Sequence, residues 1–406
     1  MREENKNYGM TGIVLITAAA CFIYMMNSGI RNNFGIMLKA ISENTGMSYA
    51  SVSFVLAVAQ LSFGITQPIF GIVAEKRGSR FALLTGIVCV IFGAALTPVC
   101  KTIFRLTVVL GILLPGGLGA VSFGAIMGTI SSKLPEKNLS AVNGIVNASS
   151  GIGNTLFAPM ISTAISVGGL LSGMGVLSLL AVTMIPVTIG MCGKKKKFRA
   201  DTGVSDKAET KEDMGDLFRL AFKNRNYIWI IIGFFTCGFH MAIITNHLAT
   251  QIMSYGYSYE ASAYAFSIYG IATILGCLAA GALCLRFPMG KVLGTFYASR
   301  TFMTLAFFAL PKTMPVICVY IFLLGFTGSA TVTPVSGICG KLFGPRGVTI
   351  FFSFAFFVHQ IGGFISAWFG GLCFENFGNY LFIWMADMIL CLVAAAVSYI
   401  IKDIPE

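Results

Sequence analysis

The chain has 406 residues, of which 56% are hydrophobic and 11% are charged, and its formal net charge is +12. With a mean hydropathy of +0.81, this much apolar surface cannot be buried inside a water-soluble globule, which excludes a soluble enzyme or a basic nucleic-acid-binding domain. The composition predicts a protein that resides in a lipid bilayer.

Twelve long apolar segments follow one another along the chain. A helix needs about 20 residues to cross the hydrocarbon core, and in lipid only helices or closed barrels satisfy the backbone. The segments are too long and too uniform to be barrel strands. We therefore predict an all-α integral membrane protein with spans 1 to 12 near residues 10–38, 49–74, 81–100, 104–131, 139–166, 168–191, 226–253, 258–285, 291–310, 314–340, 347–374 and 379–401.

Residues 192–225 are the only long polar segment, and four consecutive lysines stand at 194–197. This segment predicts a basic cytoplasmic linker between a six-helix half at 1–191 and a second six-helix half at 226–406.

The basic residues predict the orientation of the chain. Lys and Arg near span ends stay on the cytoplasmic side, and most of the 28 Lys and Arg fall in cytoplasmic segments if both termini are cytoplasmic. The first apolar run is too long for a cleavable signal core. We expect a multi-pass protein of the cell membrane, inserted whole.

The eleven cysteines lie mostly inside spans, and none forms a Cys-x-x-Cys pair. They are interpreted as small apolar packing residues, so no metal site, disulfide or cofactor is expected.

The sequence contains an internal repeat. The charged turn at 71–80 has a degenerate copy at 281–291, displaced by 210 residues. At an offset of 209, glycines match in four pairs, which are Gly29 with Gly238, Gly116 with Gly325, Gly119 with Gly328, and Gly153 with Gly362. Two parallel halves around a central cavity are predicted, a layout that opens alternately to the two sides of a membrane.

The turn after span 2 carries Gly71, Glu75, Gly78 and Arg80. These residues resemble the Gly-x-x-x-Asp-x-x-Gly-x-Arg/Lys signature of the major facilitator superfamily, with Glu in place of Asp, and the resemblance covers essentially the whole chain. It implies a secondary transporter and not an enzyme. In that family the loop latches the cytoplasmic face, which implies that these four residues are gating residues. In the second copy Leu285 occupies the acidic position.

Two stretches resemble the monocarboxylate-porter branch of the superfamily and its oxalate:formate antiporter relatives. The first consists of residues 34–39 and the following Met47-Ser48, and the second is 135–153. Animal members of the branch carry an Asp and an Arg in helix 8, and the antiporters carry basic groups on helices 8 and 11. Span 8 contains no Asp and no basic residue, and His359 is the basic candidate on span 11.

Polar side chains within the spans are the candidate substrate ligands, since a charge at mid-bilayer costs roughly 2.5 to 3.5 kcal/mol and usually faces a cavity or a partner. Arg31 can bind a carboxylate through two parallel hydrogen bonds, or else it anchors span 1 at the interface. His240, one repeat from Arg31, and His359 can carry a proton near neutral pH, or else they bond within the bundle. The amides of Gln60 and Asn147 are further candidates.

Arg300 in span 9 and Asp387 in span 12 are opposite formal charges inside the last six spans. Each would otherwise be unpaired in lipid, which predicts a structural ion pair between them.

Buried basic groups with almost no buried acid favour a small organic anion as substrate, carried with a proton or exchanged for another anion. The protein is expected to be a monomer. An exporter of amphiphilic compounds is an alternative, suggested by the 35 Phe and 19 Met. A nontransporting sensor that signals through the basic linker is another.

Overall fold

The computed structural model describes residues 10–192, 219, 221–347 and 351–402 of the chain. Every element in these residues is helical. The elements are Met10–Arg31 and Phe34–Thr45 (span 1), Tyr49–Arg77 (span 2), Ser79–Leu96 (span 3), Ile103–Ile130 (span 4), Glu136–Cys192 (spans 5 and 6), Arg225–Ser254 (span 7), Tyr259–Cys284 (span 8), Met289–Ala309 (span 9), Met314–Phe343 (span 10), Ser353–Phe377 (span 11) and Leu381–Ile400 (span 12). Most of the predicted linker lies outside the described residues, so the domain boundaries stay a prediction.

Ten of the described helical segments are long and apolar enough to cross a membrane. One of them, Val142–Cys192, has 51 residues, about twice the length that a bilayer needs. It is broken at Gly168 and Gly169, whose φ angles of −137° and +62° depart from helical geometry, and it therefore contains two spans. Span 9, with 21 residues, completes twelve.

The two groups of six spans repeat the same helix contact. Span 1 packs on span 5, where a Cβ on Gly153 would meet the carbonyl oxygen of Met25. Span 7 packs on span 11 in the same way, because a Cβ on Gly362 would meet the carbonyl oxygen of Phe235. Small residues let helix backbones approach closely in membranes. The matched glycines therefore mark equivalent contacts in the two groups.

Contacts between spans 1–6 and spans 7–12 concentrate at one end of the bundle. There the backbone N–H of Ala50 donates to Oε2 of Glu375 at 2.7 Å, and the Tyr259 hydroxyl donates to the carbonyl oxygen of Ile36 at 2.8 Å. At the opposite end, residues 65–80 form no hydrogen bond with any described residue of spans 7–12. These ends are called the closed end and the open end below.

Candidate functional site

Span 1 is broken into a helix of 22 residues and a second helix of 12 residues, although the sequence predicted one continuous helix. The first helix ends at Arg31 and the second begins at Phe34. A break leaves carbonyl groups without helical partners, and the buried Asn33 side chain satisfies one of them by donating to the Gly29 oxygen at 2.7 Å. The break places Arg31 at a helix terminus within the bundle.

The guanidinium of Arg31 joins the two groups of spans. Its Nη2 donates to Oε1 of Gln60 on span 2 at 3.1 Å and to Oε1 of Gln360 on span 11 at 3.3 Å. The group also lies over the ring of Phe63, with its central carbon 4.1 Å from the ring centroid. Arg31 is therefore held at the centre of the bundle and does not extend to an interface as an anchor.

No carboxylate of the described residues lies within ion-pair distance of Arg31. The ion pairs found among the described residues are Lys39 with Glu43 and His240 with Asp387. The oxygens that face Arg31 belong to neutral amides, while its side chain is only half-buried. A guanidinium without a counter-ion, at the junction of the two groups, is suited to bind an anion.

Span 11 contributes two buried polar atoms that have no hydrogen-bond partner in the described part of the chain. They are Nε2 of Gln360 and Nδ1 of His359, both buried. The His359 ring stacks on Phe356, with centroids 5.2 Å apart and planes inclined by 7°, and it lies within electrostatic range of Arg31. Unpartnered buried groups are uncommon, so these atoms are available to a ligand.

The residue after Arg31 forms a contact with span 5. The side chain of Asn32 donates to Oδ1 of Asn154 at 3.0 Å, which connects the break in span 1 to span 5. Asn147 lies two turns away on the same helix and is half-buried. Its side chain forms no hydrogen bond with a described residue, so its role as a ligand stays a prediction.

His240 lies away from this cluster. Its Nδ1 is 2.7 Å from Oδ2 of Asp387, and both side chains are almost completely buried. The ring packs edge-on against Trp384, with centroids 6.0 Å apart. The structure therefore gives His240 a partner on span 12 and does not bring it together with Arg31.

The predicted ion pair between Arg300 and Asp387 is wrong, because Asp387 pairs with His240. Arg300 is completely buried and uses Nη2 to donate to the carbonyl oxygens of Thr327 and Gly328 at 2.6 and 2.9 Å. These carbonyls lie where span 10 is interrupted. Arg300 therefore satisfies freed backbone oxygens instead of a carboxylate.

Asp387 and His240 together with Cys391 bring three potential metal-ligand atoms within 4.8 Å of one another. Zinc usually takes four ligands in closed structural sites. The positive charge of Arg300 also acts on both His240 and Cys391, which opposes a further cation. The three atoms are one fewer than a closed structural zinc site needs, and His240 and Asp387 are bonded to each other.

The charged turn lies at the open end. Gly78 separates spans 2 and 3 as a single residue with φ +92° and ψ 146°, a conformation that is essentially restricted to glycine. Glu75 is exposed and Arg80 is half-buried, and neither forms an ion pair with a described residue. No atom of the described residues lies within 4 Å of the Cβ position of Gly71. The latch expected from these residues is not engaged in this conformation.

Sequence reasoning did not select Gln360, Asn32, Asn154 or Phe63 as site residues. The adjacent Asn32 and Asn33 were a signal for the helix break, since Asn disfavours helix interiors. Gln360 follows His359 directly, but no spacing rule indicates which of the two faces Arg31.

Twelve helical spans, closed at one end and open at the other around an uncompensated arginine, define a membrane transporter. The chain belongs to the Major Facilitator Superfamily, whose family model matches residues 20–367. This family is one of transporters and not of enzymes.

Individual relatives agree with this assignment. The chain is 23% identical over 411 aligned residues to the uncharacterized MFS-type transporter YcxA of Bacillus subtilis (strain 168), covering 95% of this chain and 92% of that protein. It is 27% identical over 150 residues to the oxalate:formate antiporter of Oxalobacter formigenes, covering 37% of this chain and 35% of the antiporter. The crystal structure of D-xylose-proton symporter superposes with a TM-score of 0.72 at 12% identity, covering 95% of this chain and 97% of the other. That similarity concerns the fold alone.

Proposed function

We propose that the protein is a secondary transporter of a small organic anion of the monocarboxylate type, which binds at Arg31 and crosses the membrane by alternating access. The observation that carries the proposal is the half-buried guanidinium with no carboxylate partner among the described residues. A planar carboxylate matches the fork of donors that Arg31 presents. The partial match to the oxalate:formate antiporter supports the same substrate class.

In the proposed mechanism the anion replaces the two glutamine oxygens at Arg31. Gln60 and Gln360 belong to different groups of spans, so Arg31 ties the groups together. A carboxylate forms stronger hydrogen bonds to a guanidinium than an amide oxygen does. Binding therefore releases the contact with Gln360 and couples occupancy of the site to movement of the two groups.

His359 is proposed to complete the site. Its Nδ1 has no described partner and its neighbour Gln360 contacts Arg31. A protonated imidazole would add a second positive charge beside the anion, whereas a neutral one would supply a single hydrogen bond. The site is thereby suited to carry an anion with a proton or to exchange one anion for another.

We further propose that both termini are cytoplasmic, which places the open end on the cytoplasmic side. The basic residues of the turn at 71–80 then lie inside, as the distribution of Lys and Arg favours. In this orientation the described conformation faces the cytoplasm.

Uptake into proteoliposomes tests the proposal. Labelled lactate, pyruvate, formate and oxalate are offered with and without an inward proton gradient, and with excess unlabelled anion inside to detect exchange. We expect uptake of at least one anion by the wild type, a loss of at least about tenfold in Arg31→Ala, and partial activity in Arg31→Lys, which keeps the charge without the fork.

Arg105→Ala is the matched control, because Arg105 is exposed on span 4 and its removal changes the net charge equally. Equal uptake of neutral analogues that lack the carboxylate would contradict the proposal. Extrusion of amphiphilic dyes that is insensitive to Arg31→Ala would instead favour the exporter, and binding without transport would favour the sensor.

A further inference from the structure

A second titratable cluster lies at the closed end, where the two groups of spans meet. The hydroxyl of Tyr49 on span 2 lies 3.1 Å from Nδ1 of His247 on span 7 and 2.7 Å from the hydroxyl of Tyr380, directly before span 12. Tyr49 belongs to the first group of spans, and the other two residues belong to the second. These hydrogen bonds therefore hold the closed end together.

The direction of each hydrogen bond follows from one contact. Nε2 of His247 lies 2.8 Å from the carbonyl oxygen of Ala367, and a carbonyl oxygen can only accept. Nε2 therefore carries the hydrogen, and in a neutral imidazole Nδ1 is the acceptor. Tyr49 must donate to Nδ1, and it accepts in turn from Tyr380.

The imidazole is enclosed on every side. His247 is completely buried, and a Cβ on Gly370 of span 11 would collide with its ring. Tyr49 and Tyr380 cover the remaining face, with ring centroids 6.0 and 5.5 Å from that of the imidazole. The imidazole therefore has no exposed surface while the end is closed.

No charge in the described residues neutralises a proton at His247. The charged or titratable groups on the surrounding helices have other partners, apart from one buried cysteine. Glu375 on span 11 accepts from the Ala50 N–H, Lys39 pairs with Glu43 on span 1, Asp387 on span 12 pairs with His240, and Cys373 on span 11 is buried. None of these carboxylates lies within ion-pair distance of His247.

We propose that His247 is a proton-binding site and that binding a proton at Nδ1 opens the closed end. A proton on Nδ1 turns this atom into a donor, so Tyr49 can no longer donate to it and the chain of hydrogen bonds must reverse. It also creates a buried cation without a counter-ion, which is strongly unfavourable in a dry contact. Opening admits water and removes both penalties. One proton from the solution on that side is taken up per opening and is released when the end closes again.

The His240–Asp387 pair is a less suitable proton switch. It joins spans 7 and 12, which belong to the same group, and its carboxylate already compensates a charge on the imidazole. Its titration therefore does not act across the junction between the groups. His247, in contrast, contacts a residue of the first group directly.

This inference rests on the proposed function only in assuming alternating access, and its test needs no organic anion. Spin labels are attached through non-canonical amino acids at positions 43 and 376, which are exposed on opposite sides of the closed end. Distances are measured by pulsed electron resonance in nanodiscs at pH 8 and pH 5. For the wild-type background we expect the long-distance population to rise at least about threefold at pH 5.

Three variants decide the assignment. His247→Gln keeps an amide donor for Ala367 but binds no proton, so its distances should not respond to pH. Tyr49→Phe removes the two hydrogen bonds that the Tyr49 hydroxyl forms with the second group, so the long-distance population should be raised at both pH values. His240→Gln should respond as the wild type does.

A wild type without a pH response, or a His247→Gln variant with the full response, would overturn the proposal. A response lost in His240→Gln and kept in His247→Gln would assign the proton to the other pair. If His247→Gln does not fold, a pH response kept unchanged in Tyr49→Phe would overturn the proposal. A chain that shows the expected response but carries no carboxylate would overturn the proposed substrate and leave this site in place.

Discussion

Nδ1 of His240 and Oδ2 of Asp387 lie 2.7 Å apart, and both side chains are almost completely buried. The pair connects span 7 to span 12 within the second group of spans. A buried pair is costly to break, because removing one partner leaves the other polar group unsatisfied or charged in a dry environment.

We therefore expect His240→Leu and Asp387→Leu each to lower the free energy of unfolding by about 3 kcal/mol or more. The double variant should lose much less than the sum of the single losses, because it leaves no uncompensated charge. Denaturant titrations in detergent measure the free energy of unfolding of the wild type, both single variants and the double variant. The coupling energy is calculated from these four values.

The same cycle between Asp387→Leu and Tyr257→Phe is the control. Tyr257 donates to the Lys312 oxygen in another part of the bundle, so these two losses should add. Additive losses for His240 and Asp387 would contradict the pairing.

A second prediction concerns the charge at Arg31. Gln60→Glu places a carboxylate where the amide oxygen now accepts from Arg31 at 3.1 Å, and the resulting ion pair would occupy the guanidinium. Since the pair competes directly with an anionic substrate, we expect uptake to fall at least about tenfold while folding is retained.

Gln67→Glu is the matched control for this change. Gln67 lies seven residues further along the same face of span 2, and its side chain bonds to the Phe63 oxygen of its own helix. The Gln67→Glu substitution adds the same charge without reaching Arg31, and uptake should remain close to that of the wild type. Equal inhibition by both variants would show that the effect is one of general charge and not of the contact with Arg31.

A third prediction concerns the close contact of spans 7 and 11. A Cβ on Gly238 would collide with the backbone oxygen of His359, which a side-chain rotation cannot relieve. We expect Gly238→Ala to destabilise the protein by about 2 kcal/mol or more and to displace span 11 at His359, next to Gln360, which contacts Arg31. Thermal unfolding and uptake measure the two effects.

Gly144→Ala provides the comparison, since no atom of the described residues lies within 4 Å of the Cβ position at Gly144 on span 5. In a helix the alanine is favoured by up to about 1 kcal/mol over glycine. A Gly238→Ala variant as stable as Gly144→Ala would contradict the observed helix contact.

These residues also indicate which features the sequence could predict. The spans were predictable because about 20 apolar residues in succession have few alternatives in a bilayer, and the family model and the fold confirm that assignment. The partner of Asp387 was not predictable, because it depends on how spans 7, 9 and 12 are rotated about their axes. Spacing along one helix defines a face but does not identify the neighbour that packs on it.

The candidate site was partly predictable for the same reason. Arg31 and Gln60 stand out as polar residues in apolar spans, whereas the contribution of Gln360 requires knowing that span 11 meets span 2. The break after Arg31 also depends on tertiary contacts, because Asn33 satisfies the Gly29 oxygen only in that local geometry.

The last prediction concerns the latch at the open end. Glu75 is exposed and forms no ion pair with a described residue in this conformation, and Arg80 is likewise unpaired there. If the latch forms only when this end closes, removing the carboxylate stabilises the present conformation relative to the alternative one. An ion pair of this exposed kind contributes up to about 1 kcal/mol, so Glu75→Gln should shift the two populations by up to about fivefold.

Spin labels at positions 72 and 341, both exposed at the open end, report this population. We expect a larger long-distance fraction in Glu75→Gln than in the wild type. Glu43→Gln is the matched control, because Glu43 is equally exposed and pairs with Lys39 at the closed end. Identical distance distributions for wild type and Glu75→Gln would mean that Glu75 takes no part in closing this end.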